Sequence, residues 1–333
     1  TKSIHLWTWD SHGNRVFQEL DYKPYLYLES KSGDAKSIYG TSLKKKEFET
    51  QWDRGKFVKE SGVKRIFENL PPYQQFLIDN KIITIPSEVR VKVEETPPFA
   101  RETSTASMDT PGPFETKATE AYYYITPVDP KWTPQQQEDW LASFNFYTTD
   151  VVSIHEAYPG HYTQFLHLNA SDASKVQKIF GSYAFTEGWA HYTEKMMLDA
   201  GYGNSGDPVK AAKFRLAQSG DALLRICRLC VSIKTHCYGM NVDEATNFFM
   251  KNWYQGDKPS RQEALRGTYD PGYLFYTLGK LQILKLREDY KKQEGNNYSL
   301  QKFNDAMLDN GMMPIQMMRE VLLKDKKTWN EIL

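Results

Sequence analysis

The chain has 333 residues, with Lys+Arg 42 against Asp+Glu 42 and so no formal net charge. That length allows one large domain or two, and the charge balance removes any general electrostatic case for nucleic acid or an anionic membrane surface. Charges interrupt every apolar stretch well before the ~18 residues that a membrane span needs, and Thr1 to Asp10 lacks the basic, apolar, small-residue order of a secretory signal.

The first eighty residues alternate short apolar runs, Ile4 to Trp9 and Tyr25 to Leu28, with Lys-rich turns such as Lys44-Lys45-Lys46. They predict a small α+β unit, strands first and a helix near Lys64 to Asn69. Ile82 to Val93 alternates towards a strand, a Thr/Ser/Pro-rich loop runs from Glu95 to Glu115, and Ala121 to Thr126 predicts a second strand. From Thr133 the chain reads as helical, beginning with an N-cap Thr and Pro134 at the first helical position. Helices are expected over about 133–146, 149–168, 174–200, 208–238, 242–252, 272–293, 299–309 and 314–324, punctuated by glycines such as Gly201, Gly256 and Gly311. The predicted architecture is mainly α (α+β). It consists of a helical domain over 81–333 with a small edge sheet, preceded by an α+β segment over 1–80.

Three cysteines, Cys227, Cys230 and Cys237, fall in one short segment. An odd, clustered count argues against a disulfide framework and fits a reducing compartment, so a cytoplasmic location is expected. Cys227 and Cys230 form one C-x-x-C without a second pair, which reads as helix-face thiols rather than a metal site.

Five of the seven histidines lie between positions 155 and 236. The densest chemistry is His155-Glu156-Ala157-Tyr158-Pro159-Gly160-His161. A zinc hydrolase needs two neutral imidazoles on the metal and a carboxylate beside one of them to take a proton from water. The spacing is not the ordinary H-E-x-x-H, however. Four residues bring two histidines to within about 40° on a regular helix, whereas six set them about 240° apart. Pro159 cannot donate to the carbonyl of His155 and crowds it. A bulge or widened turn at 157–160 is therefore expected, returning His161 to the same point. A plain Pro-Gly helix break with two incidental histidines has the same spacing. Phe185-Thr186-Glu187-Gly188-Trp189-Ala190-His191-Tyr192 favours the metal reading over that break, without removing it. Glu187 follows His161 by 26 residues, enough for an antiparallel helix to return with a third, carboxylate ligand. His191 shares a helix face with Glu187 and is expected to orient it or to donate to substrate. Glu194, one turn beyond His191, has the position of a group supporting the ligands from behind, with a solvated acid the preferred reading. On later helices, His236 follows Arg225 and Arg228, and a buried Arg or His there would suit a substrate carboxylate or, equally, a structural role. The run Pro271 to Lys280 offers phenols at a helix start, Tyr273 and Tyr276 among them, one of which could donate to an oxyanion.

At H-E-A-Y-P-G-H with F-T-E-G-W-A-H-Y, the chain resembles the predicted zinc peptidases grouped as domain of unknown function 885, marked by H-E-x-x-P-G-H and E-G-W-A. Pro97 to Glu115, Arg228-Leu229 with His236, P-G-Y-L-F-Y-T-L-G-K-L-Q and Phe303 to Leu308 extend the likeness over about 81–333. It implies gluzincin-like chemistry: one Zn²⁺ per chain on His155, His161 and Glu187, with Glu156 as base. G-Y-L-F-Y-T-L-G-K is also similar to a stretch of the thermostable carboxypeptidase Taq family, which favours Tyr276 as transition-state donor. Tyr162 departs from the first family, which usually has a second adjacent His, and the family's long helical N-terminal half is missing. Residues 1–80 instead resemble the N-terminus of a family B DNA polymerase of T-even-like phages, without that family's catalytic signatures, so the joined chain reads as a fusion.

The expected function is zinc-dependent hydrolysis of peptide or small amide bonds, carboxypeptidase-like or more general. Glu156 would be the general base, Tyr276, His191 and His236 the further catalytic candidates, and Arg228 and Tyr273 the substrate-binding ones. The strand Ala121 to Thr126 would take an extended substrate by β-addition. Two alternatives remain. One is an inactive, truncated peptidase-like fusion whose first segment is a nucleic-acid-binding remnant. The other is a zinc amidase or esterase acting on non-peptides.

Overall fold

In the computed structural model of the chain, the described residues are 73–333 apart from 116, 118 and 205, together with the backbone of four short strands before them. Those strands form two antiparallel pairs. β1 (Lys2–Trp9) runs against β2 (Arg15–Tyr22) from Lys2↔Tyr22 to Trp9↔Arg15, and β3 (Tyr27–Glu29) runs against β4 (Ala35–Ser37). The helix expected near Lys64 to Asn69 and the Lys44–Lys46 turn lie outside the described residues.

A short helix, α1 (73–79), buries Tyr73 and Leu77 in the main core. The strand expected over Ile82 to Val93 begins only at β5 (Lys92–Glu95). The residues before it bury Ile82 and Ile83 but have no partner strand, and Pro86 lacks a donor. Their polar groups go instead to a distant helix: Asn304 donates to the Ile82 carbonyl (2.9 Å) and the Thr84 amide to Asp305 (2.8 Å). β6 (Ala106–Asp109) lies inside the segment read as loop. β7 (Tyr122–Ile125) is the middle strand of the order β5-β7-β6, parallel to β5 and antiparallel to β6. Both of its edges are therefore filled. The expectation that this strand adds a substrate strand does not hold; among the described residues the free edges belong to β5 and β6.

The helices follow with caps that the sequence spells out. α2 (Pro134–Ser143) starts at a Thr133/Gln136 capping box, α3 (Phe146–Glu156) at Asn145, and the 31-residue α7 (Pro208–Tyr238) at Asp207. α8 (Val242–Asn252) starts at an Asn241/Glu244 box, and Gly239 ends α7 in the left-handed region (φ 72°). Two helices expected as continuous are each two. α4 (His161–Ala170) follows α3 after a turn, and α5 (Lys175–Ile179) is separated from α6 (Tyr183–Asp199) at Gly181. α9 (Asp257–Gly267), crowded by Gly256, Pro259 and Gly267, was not anticipated. α10 (Phe275–Glu294), α11 (Leu300–Asp309) and α12 (Ile315–Leu322) complete a mainly α (α+β) chain. No described helix is long and apolar enough to cross a membrane.

Two backbone features position everything that follows. The α3–α4 turn holds a cis Tyr158–Pro159 peptide and closes when the Gly160 amide donates to the Ile154 carbonyl (2.9 Å). A Cβ on Gly160 would meet the His155 carbonyl oxygen at 1.7 Å, so only glycine fits. Trp189 of α6 donates its indole N–H to the Pro159 carbonyl (2.9 Å), tying the turn to the next helix. α6 and α10 meet backbone to backbone. A Cβ on Gly188 would lie 2.6 Å from Gly279 Cα, and one on Gly279 would lie 1.9 Å from the Ala184 carbonyl oxygen.

Gly188→Ala and Gly279→Ala should each lower stability by about 2–3 kcal/mol through overpacking. Gly220→Ala, on α7 with nothing within 4 Å of the new methyl, should raise it by up to about 1 kcal/mol. Thermal melts of the three variants check the contrast; unchanged melting of the first two would remove the close-contact account.

Candidate metal centre

His155 ends α3 and His161 begins α4, so each sits beside the turn that Gly160 permits. Their rings lie 4.9 Å apart, centroid to centroid, and edge-on. Glu187 projects from α6 towards both: its Oε2 is 3.4 Å from His155 Nε2 and 3.3 Å from His161 Nε2. Oε2 is buried and has no hydrogen-bond partner. The sequence expectation of a widened turn that returns His161 matches this geometry, although the helix breaks into two rather than bulging.

The tautomer of His155 follows from its other nitrogen. Nδ1–H donates to Glu194 Oε1 (2.8 Å), and Glu194 is fully buried, not solvated as its sequence context suggested. A carboxylate only accepts, so Nε2 is left with its lone pair towards Glu187 and His161. The three atoms lie within 4.8 Å of one another. His161 Nδ1 faces the Gln164 side-chain oxygen (3.5 Å), an acceptor, which turns its Nε2 lone pair to the same point, where a cation would satisfy all three atoms. Contacts of about 3.3–3.4 Å are the edges of a tetrahedron whose ligand bonds are about 2.0–2.1 Å, the range for zinc on nitrogen or oxygen. The donor set, two imidazoles and one carboxylate, therefore fits zinc. Without a cation the charges compensate through protons. Burial pulls the His155 imidazole down, but Glu187 and Glu194 outweigh it and lift it to about 9, while the two histidines hold Glu187 well below the usual carboxylate range despite its burial.

Behind His155 lies a buried polar network. Glu194 Oε2 accepts from His191 Nδ1 (2.9 Å), and His191 Nε2 faces Lys280 Nζ (3.4 Å). Arg225 approaches Glu194 (3.8 Å) and donates to Asp221. Burial, with Glu194 adding to it and Arg225 opposing, lifts the Asp221 carboxyl to about 7. His191, Glu194 and Asp221 also cluster tightly, but Arg225 and Lys280 already supply positive charge there. His191 thus supports Glu194 and touches neither Glu187 nor open space.

A narrow cavity of about 70 Å³ adjoins the centre, lined by His155, Glu156, Tyr276, Arg225, Arg228 and Arg266 among others. Thr105 and Ala106, at the start of β6, form part of its wall. Glu156 thus lies beside the ligand His155 and is among the residues that line the cavity. Tyr276 stacks near His155 (6.3 Å between centroids), and its hydroxyl accepts from Arg266 Nη2 (3.0 Å). Arg228 also lines the cavity, but its guanidinium is already held by Glu263 through two bonds of 2.6 and 2.7 Å. Tyr273 donates to the same Glu263 (3.1 Å) and does not line the cavity, so its expected substrate role is a supporting one. His236 is not brought in either: it is exposed, and its Nε2 donates to the Gly267 carbonyl (2.9 Å). Cys227 is buried while Cys230 and Cys237 are progressively more exposed, and all three are free thiols. The sequence reading missed Glu263 and Arg266, both on the unanticipated α9. The Arg266/Asp270 pair, four residues apart, was the available signal.

The chain is similar to two solved structures, both described as a "putative lipoprotein". For the one from Shewanella oneidensis, the TM-score is 0.67 and the identity 29%, covering 80% of this chain and 46% of that one. For the one from Colwellia psychrerythraea, the TM-score is 0.67 and the identity 21%, covering 91% and 44%; that likeness is one of fold. This chain spans less than half the length of either. No curated protein matches it. The family model described as "Bacterial protein of unknown function (DUF885)" matches residues 41–322, starting forty residues before the boundary read at 81, and the chain belongs to that family.

Proposed function

We propose that the protein is a zinc-dependent hydrolase of peptide or related amide bonds. The observation that carries this reading is the convergence of His155 Nε2, His161 Nε2 and the unpartnered Glu187 Oε2, with Glu156 on the adjoining cavity. His155, His161 and Glu187 would hold one zinc, which when bound supplies Lewis-acid activation of a water molecule and of the substrate carbonyl. Glu156, next to a ligand and facing the cavity, takes the proton of the attacking water and passes it to the leaving amine. Tyr276 donates its hydroxyl proton to the developing oxyanion. Its phenol oxygen accepts from Arg266, whose charge makes the hydroxyl a stronger donor. Glu194 keeps His155 in the tautomer that ligation requires. Ester or non-peptide amide substrates call on the same groups.

Every residue in this scheme lies between positions 155 and 276, so the reading requires none from 1–80. The polymerase resemblance of that segment brings no activity with it. For the compartment, two observations point in different directions. The cysteines are free, as in a reducing compartment, whereas the similar structure from Shewanella oneidensis carries a lipoprotein description. No cysteine belongs to the site, so its chemistry suits either.

Glu156→Gln should retain about one zinc per chain by elemental analysis and lose peptide hydrolysis by about 10²–10⁴-fold; retained turnover would sink its assigned role. His161→Ala and Glu187→Gln should lose the stoichiometric zinc, and a wild-type protein that never binds zinc would remove the premise. Glu194→Gln should weaken zinc about 10–100-fold, as measured by competition with a chromogenic chelator. Unchanged affinity in a variant of normal melting temperature would show that Glu194 does not position His155.

A further inference from the structure

Three guanidinium groups line the cavity beside Glu156, and they are not equivalent. Arg228 is bound by both oxygens of Glu263, and Arg225 is held by Asp221 and lies near Glu194, with its Nε buried and unpartnered. The side chains of both are nearly closed off, 4% and 8% exposed. Arg266 is 23% exposed and has no such dedicated acceptor. One of its N–H groups goes to the Tyr276 hydroxyl. Its nearest carboxylate, Asp270, stands 3.5 Å away with Oδ2 already accepting from the Tyr183 hydroxyl (2.9 Å) and Oδ1 from the Gly272 amide (3.0 Å). The Tyr273 ring, 5.4 Å from the guanidinium carbon, braces the group from one side. The result is a planar fork with unspent donors, held rigid beside the oxyanion donor.

We propose that Arg266 receives the terminal carboxylate of the substrate, so that the site acts at the C-terminal end of peptides or of other amides bearing a free carboxylate. This rests on the hydrolase reading above for the reaction, though not for the binding. A carboxylate matches the guanidinium fork with two parallel charge-assisted hydrogen bonds, which a neutral peptide group cannot supply. An internal stretch of peptide would bury the same donors without an ionic acceptor, and an ammonium terminus would meet three arginines.

The test compares benzoyl-Gly-Phe with its C-terminal amide. Calorimetric titration of zinc-loaded Glu156→Gln protein, which holds substrate without turning it over, should show the free acid binding about 10–100-fold more tightly than the amide. The same ratio should appear in kcat/KM for the wild type. Adding Arg266→Met should bring the ratio towards one, and Arg266→Lys, which keeps the charge but loses the fork, should leave it intermediate. A merely structural role for Arg266 would lower both substrates together and leave the ratio unmoved. Equal binding of acid and amide, or binding of neither, overturns the carboxylate site; equal hydrolysis of both would do so while leaving the hydrolase reading intact. Discriminating binding without any hydrolysis by wild type gives the reverse result.

Discussion

Gly188 and Gly279 let α6 and α10 touch along their backbones, and the site depends on that contact more than on any side chain within it. Glu187 precedes one glycine by a single residue and Tyr276 precedes the other by three, so the carboxylate and the phenol are set by a junction with almost no slack. On the next residue of α6, Trp189 reaches the Pro159 carbonyl and holds the turn from which His161 emerges. A metal centre tolerates ligand misplacement of only about 0.2 Å, and placing its members on directly packed helices meets that demand better than loops would. The glycines in E-G-W and L-G-K are explained by packing, and the acids and phenols beside them inherit their positions from it.

The second organising principle is that buried charges here come in matched sets. Arg228 has Glu263, Arg319 has Asp289, and Glu194 is shared by two histidines with Arg225 nearby. An unmatched buried ion would cost several kcal/mol, so each imbalance is informative. Arg225 Nε and Asp221 Oδ2 are each left over within one ion pair, whereas Glu187 Oε2 lacks any donor and Arg266 lacks a dedicated carboxylate. The last two are opposite in sign. One calls for a cation and the other for an anion, which is the pairing expected of a site that joins a metal to a carboxylate-bearing ligand.

Local signals in the sequence read well wherever one stretch of chain decides the outcome. The capped helices at 208–238 and 242–252 appear with those bounds, and Pro159-Gly160 disclosed a helix break because proline and glycine act within their own turn. The same rule explains the misses. Ile82 to Val93 has the alternation of a strand, but pairing partners are a property of the whole fold, and its first half finds side chains of α11 instead. Glu194 looked like a surface acid one turn beyond His191. It is buried, and its partner His155 stands thirty-nine residues away in the sequence. Helix α9 hid behind Gly256 and Pro259, yet proline in a first turn is no obstacle to a helix, and with that helix went Glu263 and Arg266.

The place of the sheet changes how a substrate would lie. With β7 enclosed on both sides, an extended chain has no edge to join there, while Thr105 and Ala106 bring the start of β6 to the cavity wall. β6 is an edge strand, and its unpaired side is the one that offers backbone donors and acceptors in register. A peptide whose last carboxylate rests on Arg266 has to leave the cavity past groups lining it, and β6 supplies the ordered backbone among them. Depth is then limited by the cationic end, direction by the strand, and the bond placed beside Glu156 by the distance between the two. Exo-cleavage in this scheme follows from Arg266, the most exposed of the three guanidinium groups on the cavity, without any further residue having to recognise the side chains of the substrate.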